Sequence, residues 1–374
     1  MAKKTPAKKT SIFGMAVHAD LSPTQRRRKK QILSRRVKPL SIRKGMPVSA
    51  MVEQMAGMSI QARNLGLCAE VLSSMYTDRK RPTVMLGLAG PLIAAGLRDV
   101  ICDLIVGGYV DVVVSTGAIL YQDIYQARGF GHYVGTPEAD DTVLHDLRID
   151  RIYDTYVDEE KFWQTDKWCG RVADELPDGT CSSRQYIDYV GSKLTDEKSI
   201  VRQCHKLGVP VFSPALNDSS IGIGLTDHRY RSRLTGRAGV AIDSIQDNYE
   251  LTQIVVASKA TAAIYVAGGV PKNYINDSVV MGYIFGLDRG HDYAIQVSTA
   301  VSHDGGLSGS TLGEAQSWGK IDTKAEFAMA WVEPSVALPM LAAYCFDKHP
   351  APARRRLRFS WDGQKLVSLK ERRK

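Results

Sequence analysis

The alternation of strand-like and helix-like segments is the feature that most constrains the fold of this chain. Six short runs rich in apolar and β-branched residues recur, at 83–88, 110–115, 209–212, 262–266, 293–297 and 327–332. Most of them lack polar alternation, as expected of strands that are buried on both faces. Strands that alternate with helices favour an α/β fold, in which right-handed crossovers join the strands of a parallel sheet.

Helices are predicted between these runs, at 92–106, 195–205 and 247–257. The second follows a Thr-Asp-Glu start signal at Thr195. Residues 130–190 show little regular pattern and are rich in Asp, Tyr and Trp. We expect them to cover the edge of the sheet or to contact another subunit.

Charge divides the chain into three parts. Residues 1–44 hold 14 Lys and Arg with one acid, and residues 351–374 hold nine with two acids, although the whole chain has a net charge of only +9. We therefore predict a basic flexible arm (1–44), a single acidic domain (45–350) and a basic C-terminal tail (351–374). An acidic body favours a cationic ligand. The arm lacks the interleaved aromatic residues of a single-strand binder, so nucleic acid is not the expected partner.

The sequence does not favour a metalloprotein, a membrane protein or a secreted precursor. The six cysteines have no Cys-x-x-Cys spacing and the eight histidines are dispersed, so no metal site is expected. No apolar run reaches the roughly 18–20 residues of a membrane span, and no apolar core follows the N-terminal charges. These features predict a cytoplasmic protein with reduced thiols and no membrane partner.

The strand-to-helix turns are the expected ligand site, because ligands bind at the carboxyl ends of parallel strands. The turns at 87–92, 115–118, 213–220, 267–270 and 298–306 are all rich in Gly, Ser, Thr or Ala. Small residues let a ligand approach the backbone, and helix N-termini bind phosphate. Pro91 occupies a predicted first helical position. One such turn more often reflects geometry, but five together indicate a nucleotide site, even without Gly-x-Gly-x-x-Gly.

The segment 302–320 is the richest in residues suited to chemistry. Lys320 lies two residues after Trp318 and six after Glu314. A lone lysine is usually an exposed solubilising residue, but one withdrawn from water beside an indole is a candidate imine-forming nucleophile. The indole of Trp318 suits a cation–π contact with an amine, and the Glu314 carboxylate suits an ammonium group.

These residues resemble a known family. Ser-Trp-Gly-Lys at 317–320, preceded by Glu314, resembles the active-site signature of deoxyhypusine synthase, and Val-Phe-Ser-Pro-Ala-Leu-Asn-Asp at 211–218 matches its second hallmark. The resemblance extends over roughly residues 50–348. It continues through Asp-Val-Val-Val-Ser-Thr-Gly (111–117), Gly-Gly-Val-Pro-Lys (268–272) and Val-Glu-Pro-Ser-Val-Ala-Leu-Pro (332–339).

The resemblance implies a Rossmann-like fold, a homotetramer and NAD bound between paired subunits. It also implies the reaction: NAD takes a hydride from spermidine, a lysine captures the aminobutyl group as a Schiff base, and an acceptor amine receives it. Lys320 would be the nucleophile. The residues that would bind the amine are Glu314, Trp318, Gly305, Ser308 and Asn273. Those that would bind NAD are Gly90, Pro91, Thr116, Gly117, Asp218, Gly268, Thr299, Ala300, Asp304 and Glu333.

Several positions depart from the family pattern. Ile223 and Leu307 replace acids, Gln122 replaces a Glu, Asn273 replaces a His, Glu333 replaces an Asp, and Gly90-Pro91 replaces a Ser-Asn pair. An ammonium group that loses a buried carboxylate partner costs roughly several kcal/mol. We therefore predict a small-amine acceptor such as putrescine or agmatine, as in homospermidine synthases. The alternatives are a true deoxyhypusine synthase that modifies a lysine of a translation factor, and a non-catalytic NAD- or nucleic-acid-binding module.

Overall fold

The computed structural model describes residues 20–350 and 354–372, in two compact units that divide between Pro39 and Leu40. The first unit contains helix α1 (Pro23–Ile32), whose N-terminus is closed by a reciprocal capping box between Ser22 and Gln25. No residue of α1 is buried. The segment predicted to be a flexible basic arm thus includes an exposed helix, while its first 19 residues lie outside the described part.

The second unit contains the remaining elements. Its helices are α2 (Val48–Met55), α3 (Ile60–Thr77), α4 (Arg98–Val106), α5 (Gly117–Ala127), α6 (Asp141–Asp146), α7 (Glu159–Asp174), α8 (Ser183–Lys193), α9 (Ile200–Leu207), α10 (Ser220–Leu234), α11 (Ser244–Ala257), α12 (Gly269–Gly282), α13 (Leu312–Ser317) and α14 (Pro334–Lys348). Its strands are β1 (Thr83–Leu88), β2 (Val112–Ser115), β3 (Tyr133–Val134), β4 (Ile149–Ile152), β5 (Thr155–Asp158), β6 (Gly179–Cys181), β7 (Val211–Phe212), β8 (Val240–Ile242), β9 (Thr261–Val266), β10 (His291–Val297), β11 (Ile321–Ala330), β12 (Leu357–Asp362) and β13 (Lys365–Glu371). Short 3₁₀ turns lie at Tyr283–Phe285 and Leu307–Gly309.

Six strands form one parallel sheet in the order β7-β2-β1-β9-β10-β11. All six predicted strands belong to it, so the predicted Rossmann-like parallel sheet flanked by helices is confirmed. The chain runs outward from β1 to β7, crosses to β9 on the other side of β1, and runs outward again to β11. The gap between β1 and β9 is therefore the topological switch point, where such sheets bind ligands.

Both faces of the central strands are buried, which explains why these strands do not alternate in polarity. All six residues of β1 are buried. Val84 and Leu86 pack into the larger core cluster, whereas Met85 packs into a second cluster. Successive side chains point to opposite faces of a strand, so the two clusters lie on opposite sides of the sheet.

The predicted helix bounds are wrong at their N-termini. The helix predicted at 92–106 begins at Arg98, because Gly90 and Gly96 adopt positive φ angles and a turn occupies the residues between them. The helix predicted at 195–205 is α9, which is capped by Ser199 rather than by the Thr195 signal. The helix predicted at 247–257 begins three residues earlier.

Residues 130–190 are more regular than predicted. They contain the antiparallel sheet β3-β5-β4 and the 16-residue helix α7. The buried residues of α7 include Thr165, Cys169 and Val172, a spacing of one helical face. Polar and aromatic residues at the remaining positions of α7 make this buried face hard to identify from the sequence. A role for the region in subunit contact stays a prediction.

Asp123 fixes the packing of α9 against the helices that precede it. Its fully buried carboxylate accepts hydrogen bonds from Arg98 Nε at 2.7 Å, Ser199 Oγ at 2.8 Å, and the backbone N–H groups of Ile200 at 3.0 Å and Val201 at 2.9 Å. One carboxylate thereby neutralises a guanidinium and satisfies free N–H groups at the start of α9.

Residues 354–372, within the predicted basic C-terminal tail, contain regular structure. Strands β12 and β13 form a hairpin, and the arginines before it bind the main body of this unit. Arg354 Nη2 lies 2.7 Å from Asp111 Oδ2, and Arg356 Nη1 donates to the carbonyl of Ile105 at 2.9 Å. Burial alone would raise the pKa of Asp111, but the guanidinium groups of Arg354 and Arg81 hold it below its ordinary value.

Candidate active site

The parallel sheet brings the predicted cofactor residues to one edge. Each of them follows the carboxyl end of a sheet strand, and parallel strands place those ends together. Gly90 and Pro91 follow β1, Thr116 and Gly117 follow β2, Asp218 follows β7, Gly268 follows β9, Thr299, Ala300 and Asp304 follow β10, and Glu333 follows β11.

Two helix N-termini at this edge have no cap from their own N-cap residue. Thr116 precedes α5 and Gly268 precedes α12, and neither helix start has a side-chain cap or an acid in its first turn. The first backbone N–H groups of α5 and α12 therefore lack an intrahelical partner, although in α12 the N–H of Gly269 donates to Ser308 Oγ. Such N-termini bind phosphate through these groups and the helix dipole.

The turn after β1 corrects one prediction. Pro91 does not begin a helix: Gly90 adopts a φ of +85°, and the turn continues to Gly96. Gln122 supports this turn, since its Oε1 accepts from the N–H of Ala94 at 3.1 Å. No atom lies within 4 Å of a Cβ built on Gly90. The turn consequently leaves open space at Gly90, beside the switch point. It does not place a helix N-terminus there.

The loop after β10 is docked on the start of α12. The N–H of Gly269 donates to Ser308 Oγ at 2.9 Å, and Gln296 Nε2 donates to the carbonyls of Ala267 and Ser308, both at 2.8 Å. A Cβ on Gly268 would lie 2.7 Å from the Cα of Ser308. Gly268 is thus required for the close approach of this loop.

The predicted cofactor residues with side chains have varied surroundings. Asp218, Thr299, Asp304 and Glu333 are exposed. Glu333 caps α14 through the N–H of Ser335 at 2.8 Å, and Asp304 accepts from the N–H of Gly306 at 2.8 Å. These bonds leave oxygen atoms of both carboxylates on the solvent side of the edge.

This edge fits a dinucleotide in its chemistry. It offers two uncapped helix starts, an open glycine at Gly90 and a buried hydroxyl, Ser213 Oγ, without a partner among the described residues. Phosphates would bind the helix starts, and hydroxyl groups would bind the side chains along the edge.

Lys320 lies beside α12, just before β11 begins. Its Nζ is 2.9 Å from Asp277 Oδ1 and 3.1 Å from Asn273 Oδ1, and it sits 5.6 Å from the centre of the Trp318 ring. Only 17% of its side chain is exposed. The lysine is therefore held by a carboxylate, an amide and an indole rather than projecting into solvent.

A cavity of about 520 Å³ opens at Lys320. Its lining residues come from α11, α12, the 3₁₀ turn at Leu307 and the residues between α13 and β11: Asn248, Val270, Asn273, Tyr274, Asp277, Val280, Met281, Leu307, Trp318 and Lys320. Two of the predicted amine-binding residues, Asn273 and Trp318, line the cavity. The other three do not line it. Ser308 contacts the start of α12, and Gly305 and Glu314 are exposed.

The cavity extends along α12 towards the sheet edge. Asn273 lies five residues after Gly268, which is about 8 Å along a helix axis. Leu307 lines the cavity and adjoins Ser308, which binds the start of the same helix. The lysine cavity and the loop after β10 thus both contact α12.

Lys272 is a functional candidate to which sequence analysis gave no role, although it ends the quoted motif at 268–272. It is buried, and its Nζ donates to the carbonyl of Ser310, to Ser310 Oγ at 3.0 Å and to the carbonyl of Leu307 at 3.4 Å. Burial lowers the pKa of Lys272 from 10.5 to about 8; Glu314 opposes this shift and Lys320 adds to it. The motif at 268–272 could have pointed to Lys272. The sequence, however, does not show which groups this lysine contacts.

A buried acidic pair lies behind the cavity wall. Asp247 accepts from the N–H of Ser183 at 2.8 Å, and Glu250 accepts from Ser182 Oγ at 3.1 Å. Burial raises the pKa of Asp247 from 3.8 to about 7. Both carboxylates raise the pKa of Tyr274, which lines the cavity, although burial is the larger cause.

Metal and membrane features are not found in residues 20–350 and 354–372. Within these ranges, no group of three or more His, Cys, Asp or Glu side chains is arranged to hold a metal ion. No helix in them is both long and apolar enough to cross a bilayer.

Comparisons with known proteins agree with the resemblance seen in the sequence. A family model described as deoxyhypusine synthase matches residues 50–345. A "Deoxyhypusine synthase-like protein" of Chlorobaculum parvum is 44% identical over 308 residues, which cover 80% of this chain and 87% of that protein. A "Probable deoxyhypusine synthase 2" of Methanosarcina mazei is 41% identical over 331 residues, covering 87% and 94%. The fold is similar to a crystal structure described as a deoxyhypusine synthase from Entamoeba histolytica, with a TM-score of 0.57 at 19% identity over 83% of this chain and 97% of that one.

Proposed function

The chain belongs to the deoxyhypusine synthase family of transferases, and we propose that it transfers an aminobutyl-type group from a polyamine to an amine acceptor through an imine on Lys320. The observation that carries this proposal is the placement of Lys320 Nζ inside a cavity, against Asp277, Asn273 and Trp318. A primary amine in such a site can attack an activated carbon while an indole and a carboxylate bind cationic nitrogen.

NAD is the proposed cofactor. When bound, it supplies a hydride acceptor for the oxidation of the donor amine and returns the hydride at the end. The starts of α5 and α12 would hold its phosphates, and the open space at Gly90 would allow close approach, whereas Ser219 and Ser308 fill the space beside Gly117 and Gly268. The loop that Ser308 docks on α12 would cover the site and keep water from the imine.

The proposed acceptor is a small amine, such as putrescine or agmatine. Leu307, which replaces an acid of the family pattern, lines the cavity, so this wall is apolar where a long polyamine would need a carboxylate. Ile223, the second replaced acid, is exposed on α10. The remaining carboxylate in the cavity, Asp277, can pair with one cationic nitrogen at a time.

We also propose that the protein is a homotetramer whose second copy covers the cavity mouth. The indole of Trp318 is 66% exposed and Ile284, shortly after α12, is 82% exposed. The exposed rings of Tyr249 and Phe285 contact each other at a tilt of 48°, with their centroids 5.6 Å apart. Large apolar surface beside a cavity is typical of a protein interface. The substitution Ile284→Glu should lower the mass of the assembly measured in solution. The control Leu147→Glu changes an exposed leucine away from α12 and should leave the mass unchanged.

The reaction is tested by mass spectrometry of products. Purified protein is incubated with NAD, isotope-labelled spermidine and a mixture of putrescine and agmatine. A new labelled polyamine should form with the wild type and with the control Lys324→Ala, which changes an exposed lysine four residues away. It should not form with Lys320→Ala.

Two outcomes would replace this proposal with another. Labelling of a translation-factor lysine without any new polyamine would assign a protein acceptor. NAD binding without transfer to any acceptor, unchanged by Lys320→Ala, would assign a non-catalytic module.

A further inference from the structure

We infer that Asp277 is a catalytic residue, which takes the proton from Lys320 and returns it to the leaving amine. This inference rests on the proposed function and adds a proton path to it. Its basis is a closed set of three side chains formed by Lys320, Asn273 and Asp277.

The three side chains contact one another in a ring. Lys320 Nζ lies 2.9 Å from Asp277 Oδ1 and donates to Asn273 Oδ1 at 3.1 Å. Asn273 Nδ2 donates to Asp277 Oδ2 at 2.8 Å. Asn273 and Asp277 are four residues apart on α12, so they lie on one face of the helix. Both amide atoms of Asn273 are used, and its orientation is consequently fixed.

Only one member of this ring can accept the proton. An ammonium group has no lone pair, so Nζ must lose a proton before it attacks carbon. The amide of Asn273 offers a hydrogen-bond acceptor but not a base, and the indole of Trp318 is only a donor. Lys272 and Glu314 are the other charged groups that act on this region, but Lys272 donates to Ser310 and Leu307, and Glu314 is exposed. The carboxylate of Asp277 is already in contact with Nζ.

The proton path balances through the transfer step. The donor amine is first oxidised to an iminium by hydride loss to the nicotinamide dinucleotide. Lys320 gives a proton to Asp277, and the free Nζ forms a bond to the iminium carbon. Asp277 passes this proton to the departing nitrogen and takes the second proton of Nζ, and the bond from the carbon to the departing nitrogen breaks, leaving an iminium on Lys320. The departing amine takes the proton from Asp277 and leaves as an ammonium. The carboxylate is restored and faces the positive charge on Lys320.

The exposure of Asp277 suits this second transfer. Its side chain is 43% exposed, against 17% for Lys320. The carboxylate can therefore face both the lysine and an amine that enters or leaves the cavity. A purely structural ion pair would not need an open side towards the cavity.

The test measures the rate of adduct formation on Lys320 in a single turnover, with NAD, spermidine and borohydride quenching. Asp277→Asn retains the size and the acceptor oxygen but cannot take a proton, so the adduct should form at least about a hundredfold more slowly. The affinity for NAD should not change, and thermal unfolding should remain a single cooperative transition. Asp288→Asn, at an exposed aspartate beyond the same helix, is the control and should behave as the wild type.

A second variant separates proton transfer from packing. In Asp277→Ala, excess acetate should restore part of the lost rate, because a small carboxylate can occupy the vacated space; chloride at equal ionic strength should not. Adduct formation by Asp277→Asn at the wild-type rate, or an Asp277→Ala rate that acetate does not raise, would overturn the inference while the proposed function stands. Absence of any adduct in the wild type would instead overturn the proposed function.

Discussion

Gly268→Ala tests the close contact at the switch point. The added Cβ would lie 2.7 Å from the Cα and 2.9 Å from the Cβ and Oγ of Ser308. Backbone cannot swing aside as a side chain does, so the loop must move.

The magnitude follows from two costs. Overpacking of this kind costs about 1–3 kcal/mol. Movement of Ser308 also breaks its hydrogen bond with the N–H of Gly269, which contributes about 1 kcal/mol. We therefore expect the free energy of unfolding to fall by about 2–4 kcal/mol. Dinucleotide affinity should fall at least tenfold, because the displaced loop borders the start of α12.

Denaturant unfolding and calorimetric titration with NAD give the two quantities. The matched control is Gly313→Ala, where the nearest atom to the new Cβ is Thr311 Oγ1 at 3.8 Å. Alanine at this helical position should be neutral or stabilising by about 0.5–1 kcal/mol. If Gly268→Ala unfolds and binds NAD as the wild type does, the docking of the loop on α12 is wrong.

Three further predictions concern buried charge. Asp123→Ala should lower the free energy of unfolding by about 3–5 kcal/mol, since Arg98 keeps only the half-buried Asp196 and two N–H groups at the start of α9 lose their acceptor; a loss within the error of denaturant unfolding would refute this. For Asp247, burial raises the pKa to about 7, so the wild type should lose stability relative to Asp247→Asn as pH rises from about 4 to about 7, by an amount on the order of a few kcal/mol. For Lys272, burial lowers the pKa to about 8, so the wild type should gain stability relative to Lys272→Met as pH rises from about 8 to about 10. In both titrations, a pH-independent difference between variant and wild type would contradict the burial argument.

The sheet was predictable because its signal is local. Each β1 residue is apolar or small, and an unbroken apolar run between turn residues identifies a strand with two covered faces. The helix starts were not predictable to the same degree. Leu92 fits a helical apolar pattern, but Gly90 and Gly96 adopt positive φ angles that place a turn there.

Residues of the candidate site could be predicted where they belong to a recognisable sequence motif. Lys320, Trp318 and Asn273 line one cavity, as their proposed roles require. Asp277 and Lys272 were not identified, because their contacts join positions more than 30 residues apart and no periodicity reports such pairs. The hairpin of residues 354–372 was missed for a related reason. A run of arginines predicts an exposed segment, because the sequence does not show the distant carbonyl and carboxylate groups that bind Arg356 and Arg354.

The most direct test of the account is chemical trapping of the imine. The protein is incubated with NAD and spermidine, reduced with borohydride, digested and mapped by mass spectrometry. We expect a single reduced aminobutyl adduct, on Lys320, which is lost when NAD is omitted and in Lys320→Ala. An adduct on a different lysine, or a wild-type protein that turns over without any adduct on Lys320, would contradict the central claim.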